Sequence, residues 1–343
     1  MRRLLQGLLC LVFLVVIAGG VAAWWLGQPL RMNASTVELE IEPGTTPRAV
    51  AVDVVNSGIQ TDARLLYAWF RLSGKDRQIK AGNYEIPAGT TPYELLQKLA
   101  RGEESLRAIT FVEGWSFRQM RAAMAKDEFL KQDTAALSEA DIMNALGKPG
   151  VAAEGRFFPD TYTYAKGSSG LAVLKRAAHA MDRRLEQAWA MRAPDLPLKS
   201  ADEALILASI VEKETGKASD RTQVAGVFAN RLRVGMLLQT DPTVIYGMGE
   251  KYEGVLRRVD LRTDTPWNTY TRAGLPPTPI AMPGKAALMA AVQPAPTKAL
   301  YFVARGDGSS HFSATLEEHN RAVNRFIRGN TGQSVAPSAA EAP

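Results

Sequence analysis

The feature that most constrains this chain is a long apolar segment at its amino end, residues 4–26, LLQGLLCLVFLVVIAGGVAAWWL. Gln6 is the only strongly polar side chain within it. As a helix, a run of this length can cross a hydrocarbon core of about 30 Å. Arginines at positions 2 and 3 precede the segment and tryptophans at positions 24 and 25 close it. This order predicts a membrane-spanning helix with its amino end in the cytoplasm.

The alternatives to an uncleaved anchor are a cleaved signal peptide and a lipid attached to Cys10. Small residues at positions 18–23 are typical of a signal-peptide cleavage site, but WWLGQPL is a poor flank for cleavage and the apolar run is long. Lipidation at Cys10 is disfavoured because Leu9 occupies a position that requires a small residue. We therefore predict a single-pass anchor over residues 1–30 in the cell inner membrane, with the rest of the chain in the periplasm.

Composition narrows the kind of chemistry available. The chain has 343 residues and 46% hydrophobic content, enough for two folded domains. A net charge of +6 comes from scattered Lys and Arg, a pattern that argues against nucleic-acid binding. A single cysteine excludes an internal disulfide, and three dispersed histidines give no metal-binding pattern. Any catalysis must therefore use carboxylates, hydroxyls, amides or lysines.

The string GTTP occurs at 44–47 and again at 89–92, each time between a predicted strand and a predicted helix. Thr46 and Thr91 have the spacing of helix N-caps, each followed by a proline at the first helical position. The order strand, helix, helix, strand over residues 37–86 predicts a small LysM-like βααβ subdomain within residues 35–108. Such a module binds glycan in some proteins and is only a spacer in others, and the pattern does not decide between them.

Residues 109–328 are predicted to form a mixed domain of helices and short strands, which makes the fold class α+β. Periodicity predicts a hairpin over ALYFVAR and HFSAT. The tail, residues 329–343, is small, polar and proline-containing, so disorder is predicted there. Helices are predicted over 171–190, 202–215, 220–234, 284–292 and 315–327.

The stretch LASIVEKET contains two glutamates, Glu212 and Glu214. Helical geometry places Glu214 on the same face as Leu207, Ile210 and Val211, whereas Glu212 points about 200° away. A carboxyl at the end of an apolar face is desolvated, which raises its pKa into the range of a general acid. Most helical glutamates are simply solvated, so this pattern makes Glu214 a candidate catalytic acid and no more.

Three further polar groups follow in QTDPTVIYG. Gln239, Thr240 and Asp241 supply an amide, a hydroxyl and a carboxylate in succession, as a subsite for a polar ligand would. Asp241 before Pro242 is equally typical of a helix N-cap. Both interpretations remain open on the sequence alone.

A second candidate binding segment is NTYTRAGLPPTPIAMPG, which presents Asn268, Tyr270 and Thr271 before a proline-rich loop. Aromatic rings beside amides and hydroxyls suit sugar rings. Tyr162 in EGRFFPDTYTY has a similar setting and is predicted to lie on an opposite wall. Either segment could also be a rigid surface loop.

Taken together, six stretches of the chain resemble the YceG-like family of endolytic murein transglycosylases. The resemblance covers residues 35–328 and follows the family's order: FVEGWSFRQM, EGRFFPDTYTY, LASIVEKET, NRLRVGMLLQTDPTVIYGMG, NTYTRAGLPPTPIAMPG and LYFVARGDGSSHF. It implies that Glu214 is the catalytic glutamate and that the QTDPT and NTYT segments line a glycan-binding groove. It implies no metal and no organic cofactor.

The resemblance further implies cleavage of the β-1,4 bond between N-acetylmuramic acid and N-acetylglucosamine within peptidoglycan strands, leaving a 1,6-anhydro end. Strand termination and association with peptidoglycan synthases are expected with it. Two rivals remain. One is a non-catalytic, membrane-anchored protein that only binds peptidoglycan. The other is a muramidase that uses Asp241 or another carboxylate as the second catalytic group and leaves reducing ends.

Overall fold

The structure is a computed structural model that describes the backbone of residues 2–328 and, within the first helix, leaves out the side chains of residues 2–5, 7, 8, 10 and 11. The predicted disordered tail, 329–343, lies outside the described residues. By the clustering of contacts the chain divides into two units. Unit 1 comprises Met1–Arg107 and Thr163–Ser168, and unit 2 comprises Ala108–Tyr162 and Ser169–Pro343. The domain boundaries expected from the sequence stay predictions.

Helix α1, Arg2–Leu26, contains the apolar segment. Its side chains from Val12 to Ile17 are all exposed. Across the described residues, no helix combines the length and the apolar character required to cross a membrane. The predicted span includes six positions whose side chains are not described. The anchor is therefore not confirmed and stays a prediction.

Unit 1 is built around a pair of antiparallel strands. Residues Val37, Leu39 and Ile41 alternate with glutamates, and these three side chains are buried, as the period of two predicts. Register pairs Leu39 with Tyr84 across the two strands. The elements, in chain order, are β1 Arg31–Met32, β2 Thr36–Ile41, α2 Pro47–Asn56, β3 Ile59–Gln60, α3 Ala63–Leu72, β4 Gly82–Pro87 and α4 Pro92–Arg101.

The predicted strand–helix–helix–strand order is confirmed by β2, α2, α3 and β4, with the short strand β3 added and paired to β1. Thr46 caps α2 and Thr91 forms a capping box at the start of α4, as the GTTP repeats indicate. Leu66, Phe70 and Leu95 are fully buried in the core of this unit. The likeness to a LysM module is not shown and stays a prediction.

Unit 2 is mainly helical, and with the strands it gives the α+β class that the sequence predicts. Its elements are α5 Phe117–Ala125, α6 Glu139–Ala145, α7 Gly170–Ala190, α8 Ala201–Glu214, α9 Arg221–Arg233, α10 Asp241–Met248, α11 Arg258–Arg262, α12 Lys285–Val292, β7 Tyr301–Ala304, β8 Ser310–Ser313 and α13 Leu316–Val323. Strands β5 Leu106–Thr110 and β6 Thr161–Ala165 pair with each other.

The predicted helix bounds agree with α7, α8, α9 and α12 to within one residue. The helix predicted over 315–327 is α13 followed by a π-helical turn, Asn324–Arg328. The predicted hairpin is confirmed as the antiparallel pair β7 and β8. These elements were predictable because caps and periodicity are local properties of the sequence.

Helix α8 lies in the centre of unit 2, packed against α7, α9 and α12. Leu205, Leu207, Ile210 and Val211 are all fully buried, on more than one face of the helix. Neighbouring helices therefore cover α8 on several sides. Burial of each such side chain stabilises the fold by about 1.5–3 kcal/mol, which fixes the carboxyl end of α8 in place.

Candidate active site

Glu214 is the last residue of α8, at the end of this buried helix. Its side chain is half-buried, and its carboxylate accepts a hydrogen bond from the hydroxyl of Thr240. Burial raises the pKa of Glu214 to about 7, and the negative charge of Asp241 acts in the same direction. The bond from Thr240 and the positive charge of Arg231 oppose that rise. Near neutral pH the group therefore exists in both protonation states.

Thr240 is held in place by two other threonines. The backbone N–H of Thr240 donates to Oγ1 of Thr269 at 3.1 Å, and Oγ1 of Thr243 donates to the carbonyl of Thr240 at 2.7 Å. The hydroxyls of Thr243 and Thr269 are themselves 2.9 Å apart. All three residues are buried. This cluster fixes the backbone that carries the hydroxyl in contact with Glu214. Thr243 and Thr269 belong to the QTDPT and NTYT segments, but neither was predicted individually as a site residue.

Gln239 has a backbone φ of 46°, and among the described residues it is the only non-glycine with a positive φ. This left-handed conformation costs a non-glycine residue on the order of 1–2 kcal/mol. Its N–H donates to the carbonyl of Thr269 at 3.1 Å, which ties the strained backbone to the threonine cluster. Strain of this kind is concentrated at functional sites, where neighbouring contacts maintain it.

Asp241 is the first residue of α10, and the N-cap of that helix is Thr240. The alternative interpretation of Asp241 as the N-cap is therefore wrong by one position. Oδ1 of Asp241 accepts a hydrogen bond of 2.6 Å from the hydroxyl of Tyr270. Burial raises the pKa of Tyr270, and the charge of Asp241 raises it further, so the phenol stays protonated and donates. The structure thus brings the QTD and NTYT segments together beside Glu214.

Arg231 of α9 is a buried cation that the sequence analysis did not select. Its Nε donates to the carbonyl of Leu300 and its Nη1 to the carbonyl of Leu238, each at 2.7 Å. Burial lowers the pKa of Arg231, while the charge of Glu214 is among the effects that raise it. A usable signal existed, because Val224, Phe228 and Arg231 share the helical spacing of a buried face.

Asn268 and Thr271 have different environments. Asn268 is fully buried, and its Nδ2 donates to the carbonyls of Leu261 and Thr263 at 3.0 and 2.8 Å. Its Oδ1 accepts the N–H of Tyr270 at 2.8 Å. Thr271 is exposed and donates to Oδ1 of Asp264 at 2.9 Å. The amide of Asn268 thus holds its own loop together and orients Tyr270.

Tyr162 belongs to another part of unit 2. Its hydroxyl donates to the carbonyl of Phe158 at 2.8 Å and its ring centroid lies 5.6 Å from that of Phe111. Burial raises the pKa of Tyr162 to about 12. The hydrogen bonds and ring contacts described for Tyr162 do not include Glu214, Thr240 or Asp241.

Two other carboxyls in unit 2 have raised pKa values: that of Glu212, which is half-buried, and that of Glu154, which is buried. Oε2 of Glu212 accepts the N–H of Gly284 at 3.0 Å, and burial raises the pKa of Glu212. Glu154, which the sequence analysis missed although it begins the EGRFFPDTYTY stretch, accepts the N–H of Phe117 at 3.1 and 3.2 Å to its two oxygens. Burial raises the pKa of Glu154 to about 7. Both groups have backbone partners, which indicates a structural role.

The chemistry of the site depends on a carboxyl that titrates near neutrality beside a second carboxylate, a phenol and hydroxyls. Such a carboxyl can donate a proton and later accept one without a metal ion. Across residues 2–328, with the side-chain gaps noted above, no cluster of three or more His, Cys, Asp or Glu side chains could hold a metal.

Comparisons with known proteins complete this description. A family model described as the YceG-like family matches residues 39–325. The chain is 30% identical over 318 residues to an endolytic murein transglycosylase of Bacillus subtilis strain 168, with 88% of each chain covered. An endolytic murein transglycosylase of Streptococcus pneumoniae strain D39 is 26% identical, and the match covers 92% of this chain but 64% of that protein. A crystal structure of a yceG-like protein from Listeria monocytogenes matches with a TM-score of 0.55 and 28% identity, covering 84% of this chain and 98% of the other.

Proposed function

The chain belongs to the YceG-like family, and we propose that it is an endolytic lytic transglycosylase that cleaves peptidoglycan strands. The relatives named endolytic murein transglycosylases support the reaction class and the substrate. The observation that carries the proposal is the position of Glu214 at the end of a buried helix, with a pKa of about 7 and a bound hydroxyl. Resemblance and geometry lead to the same residue.

In the first step of the proposed reaction, Glu214 protonates the oxygen that joins N-acetylmuramic acid to N-acetylglucosamine. The carbon–oxygen bond breaks, and positive charge develops at the anomeric carbon of the muramic acid. Because Thr240 occupies Oε1 of Glu214, we assign the transferred proton to Oε2. Asp241, held by Tyr270, stabilises the developing positive charge electrostatically.

In the second step, the C6 hydroxyl of the same muramic acid attacks the anomeric carbon. Glu214, now a carboxylate, takes the proton of that hydroxyl, and a 1,6-anhydro ring forms. The acid is regenerated and no water is consumed. Intramolecular attack gains from proximity, so one carboxyl suffices where a hydrolase requires two. The raised pKa suits both steps, because a carboxyl whose pKa lies near the working pH can both donate a proton and accept one.

We assign substrate contacts to Gln239, Tyr270 and Thr271, because the QTDPT and NTYT segments that contain them reach Glu214 through Thr240 and Asp241. Thr240 is assigned a positioning role, because it is buried and donates its hydroxyl to Glu214. Asn268 is assigned a positioning role because its amide is used within the loop. No such assignment is made for Tyr162, whose contacts lie elsewhere in unit 2.

The test uses the full chain incubated with purified peptidoglycan, with the fragment ends identified by mass spectrometry. We expect 1,6-anhydro ends from inside strands with the wild type and none with Glu214→Gln. The matched control is Glu253→Gln, whose side chain is 78% exposed, and it should match the wild type. Cleavage by Glu214→Gln at the wild-type rate would overturn the assignment, and an absence of wild-type cleavage would favour a non-catalytic binding protein.

The muramidase alternative has one observation in its favour, since the charge of Asp241 acts on Glu214. A hydrolase that uses both carboxyls would incorporate water and leave reducing ends. Repeating the digestion in H₂¹⁸O distinguishes the two reactions. The lytic reaction predicts no ¹⁸O at the new muramic acid end, and incorporation there would establish hydrolysis.

The proposed cellular location rests on helix α1 and not on the site around Glu214. The exposed apolar side chains of α1 support attachment to the inner membrane, with the amino end in the cytoplasm and unit 2 in the periplasm. Protease added outside the inner membrane should degrade unit 2 in spheroplasts but leave a tag at the amino end intact. Degradation of the tag, or release of the whole chain in a soluble fraction, would contradict this placement.

A periplasmic enzyme of this type would terminate strand elongation and work beside the peptidoglycan synthases. Cells without the protein should then contain longer glycan strands, and a synthase should co-purify with the chain from membranes. Unchanged strand length would contradict the role in termination. Recovery of no synthase under conditions that preserve known complexes would contradict the association.

A further inference from the structure

Tyr162 lies in a cleft of about 470 Å³ that the proposed reaction does not use. The cleft is lined by Asp160 and Tyr162 and by one side of α7, which contributes Arg176, His179, Arg183 and Arg184. None of these residues belongs to the cluster around Glu214. All of them lie in unit 2, and α7 packs directly against α8, the helix that ends at Glu214.

The cleft carries an excess of positive charge. Three guanidinium groups face it together with one carboxylate, that of Asp160. Among the ion pairs of the described residues, none involves Arg176, Arg183 or Arg184. By contrast Asp182, on the same helix, pairs with Lys148 at 2.8 Å. A concave surface with unneutralised charge of one sign concentrates the potential that attracts an oppositely charged ligand.

The walls of the cleft are held by their own contacts. The guanidinium carbon of Arg184 lies 4.3 Å from the centroid of the Phe158 ring. The hydroxyl of Tyr162 donates a hydrogen bond to the backbone carbonyl of Phe158. Arg176 and Arg183 are exposed and remain available to a ligand. The planar guanidinium group binds carboxylates through two parallel hydrogen bonds. The cleft therefore has the composition of a carboxylate-binding site with one fixed arginine.

We propose that this cleft binds carboxylate groups of the peptide stems that project from the glycan strand, and this rests on the proposed function. A murein strand carries a peptide on its muramic acid residues, and these peptides present several carboxylates. A strand bound at Glu214 brings such stems to the surface of unit 2, where the cleft offers the opposite charge. The cleft thereby makes stem-bearing strands better substrates than bare strands.

The first experiment measures binding by calorimetry to the full chain at low ionic strength. The probe is a synthetic stem peptide with free carboxylates, compared with the same peptide fully amidated. We expect Arg176→Gln with Arg183→Gln to weaken binding of the free peptide at least tenfold, and amidation to weaken wild-type binding equally. The control, Lys175→Gln with Lys199→Gln, removes two charges outside the cleft and should leave binding unchanged.

Other outcomes of this experiment overturn the proposal. Equal binding by the arginine variant and the wild type, or no wild-type binding, means that the cleft does not hold the stems. Inorganic phosphate and vesicles of anionic phospholipid are measured in parallel. If either one binds through the two arginines while the peptide does not, the cleft is a phosphate site.

The second experiment separates this inference from the catalytic assignment. Cleavage rates are compared on strands with intact stems and on strands from which an amidase has removed them. The arginine variant should raise the KM for stem-bearing strands about five- to tenfold, leave kcat unchanged and leave bare strands unaffected. If the wild type cleaves neither substrate, the proposed function fails. If the wild type cleaves both and the variant keeps the wild-type KM values, only the role of the cleft fails.

Discussion

The hydroxyl of Thr240 donates a hydrogen bond to Oε1 of Glu214 from a position 26 residues further along the chain. Thr240 is buried, and the side chains of Thr269 and Thr243 hold its backbone N–H and carbonyl, so the backbone that carries the donor is fixed. The bond favours the charged form of the carboxyl, whereas burial favours the neutral form more strongly. The balance of these two effects holds the pKa of Glu214 close to neutrality.

Replacing Thr240 with valine tests this balance directly. The loss of a donor to the charged form should raise the pKa of Glu214 further, by about one unit. The basic limb of the pH–rate profile should move to higher pH by that amount, and the maximum rate should fall because Oε1 is no longer oriented. Thr240→Ser keeps the hydroxyl and should retain the wild-type profile. A valine variant with an unshifted basic limb would show that the bond does not act on the catalytic group.

Replacing the buried Arg231 should have a large effect on the stability of the fold. Arg231→Met leaves the carbonyls of Leu300 and Leu238 without their buried donor and should lower the free energy of unfolding by about 2–4 kcal/mol. Urea denaturation measures this change. Arg233→Met, two residues along the same helix and exposed, should change stability by about 0.5 kcal/mol or less. Equal effects of the two substitutions would contradict a structural role for the buried guanidinium group.

The raised pKa of Glu154 should make the stability of the fold depend on pH. Its pKa is raised from 4.5 to about 7 in the folded protein, so its proton stabilises the fold below pH 4.5 and this contribution is lost as the pH rises through 7. Between pH 5 and pH 8 the group alone should reduce the free energy of unfolding by about 2–3 kcal/mol.

The test compares urea denaturation of the wild type and Glu154→Gln at pH 5 and pH 8. The amide should remove most of that group's share of the difference, while Glu253→Gln should not change it. A difference between the two pH values that is the same in Glu154→Gln and the wild type would show that Glu154 keeps an ordinary pKa.

Asn268 distinguishes positioning from direct contact with the glycan. Asn268→Ala removes buried hydrogen bonds to Leu261, Thr263 and Tyr270 and should destabilise the protein by about 2–3 kcal/mol, with a higher KM. Thr271→Ala, at an exposed position, should change stability by about 0.5 kcal/mol or less. If Asn268→Ala raised the KM with no loss of stability, the amide would contact the substrate itself.

The sequence predicts the parts of this molecule that depend on neighbouring residues. The capping boxes at Ser116 and Thr315 follow from a spacing of three residues, and the structure contains both. Glu214 was identified by helical spacing because its buried neighbours lie within one or two turns of it. Such signals need no knowledge of how distant segments meet.

The remaining features depend on tertiary contacts that no local pattern records. Thr269 contacts Thr240 across 29 residues, and Arg231 contacts Leu300 across 69. Tyr162 is an aromatic residue of the type that binds sugars, but the fold places its contacts at a separate cleft. Asn268 is also of a residue type that binds sugars, yet its amide forms its hydrogen bonds within its own loop.

The most direct test of Glu214 as the catalytic acid is the titration of its carboxyl. ¹³C-NMR of glutamate-labelled protein, compared with Glu214→Gln to assign the signal, gives its pKa without relying on activity. We predict a midpoint near pH 7, as expected for a partly desolvated carboxyl that retains its proton until the glycosidic oxygen accepts it. A midpoint near 4.5, the ordinary value for glutamate, would mean that the carboxyl is already ionised at neutral pH and cannot be the acid.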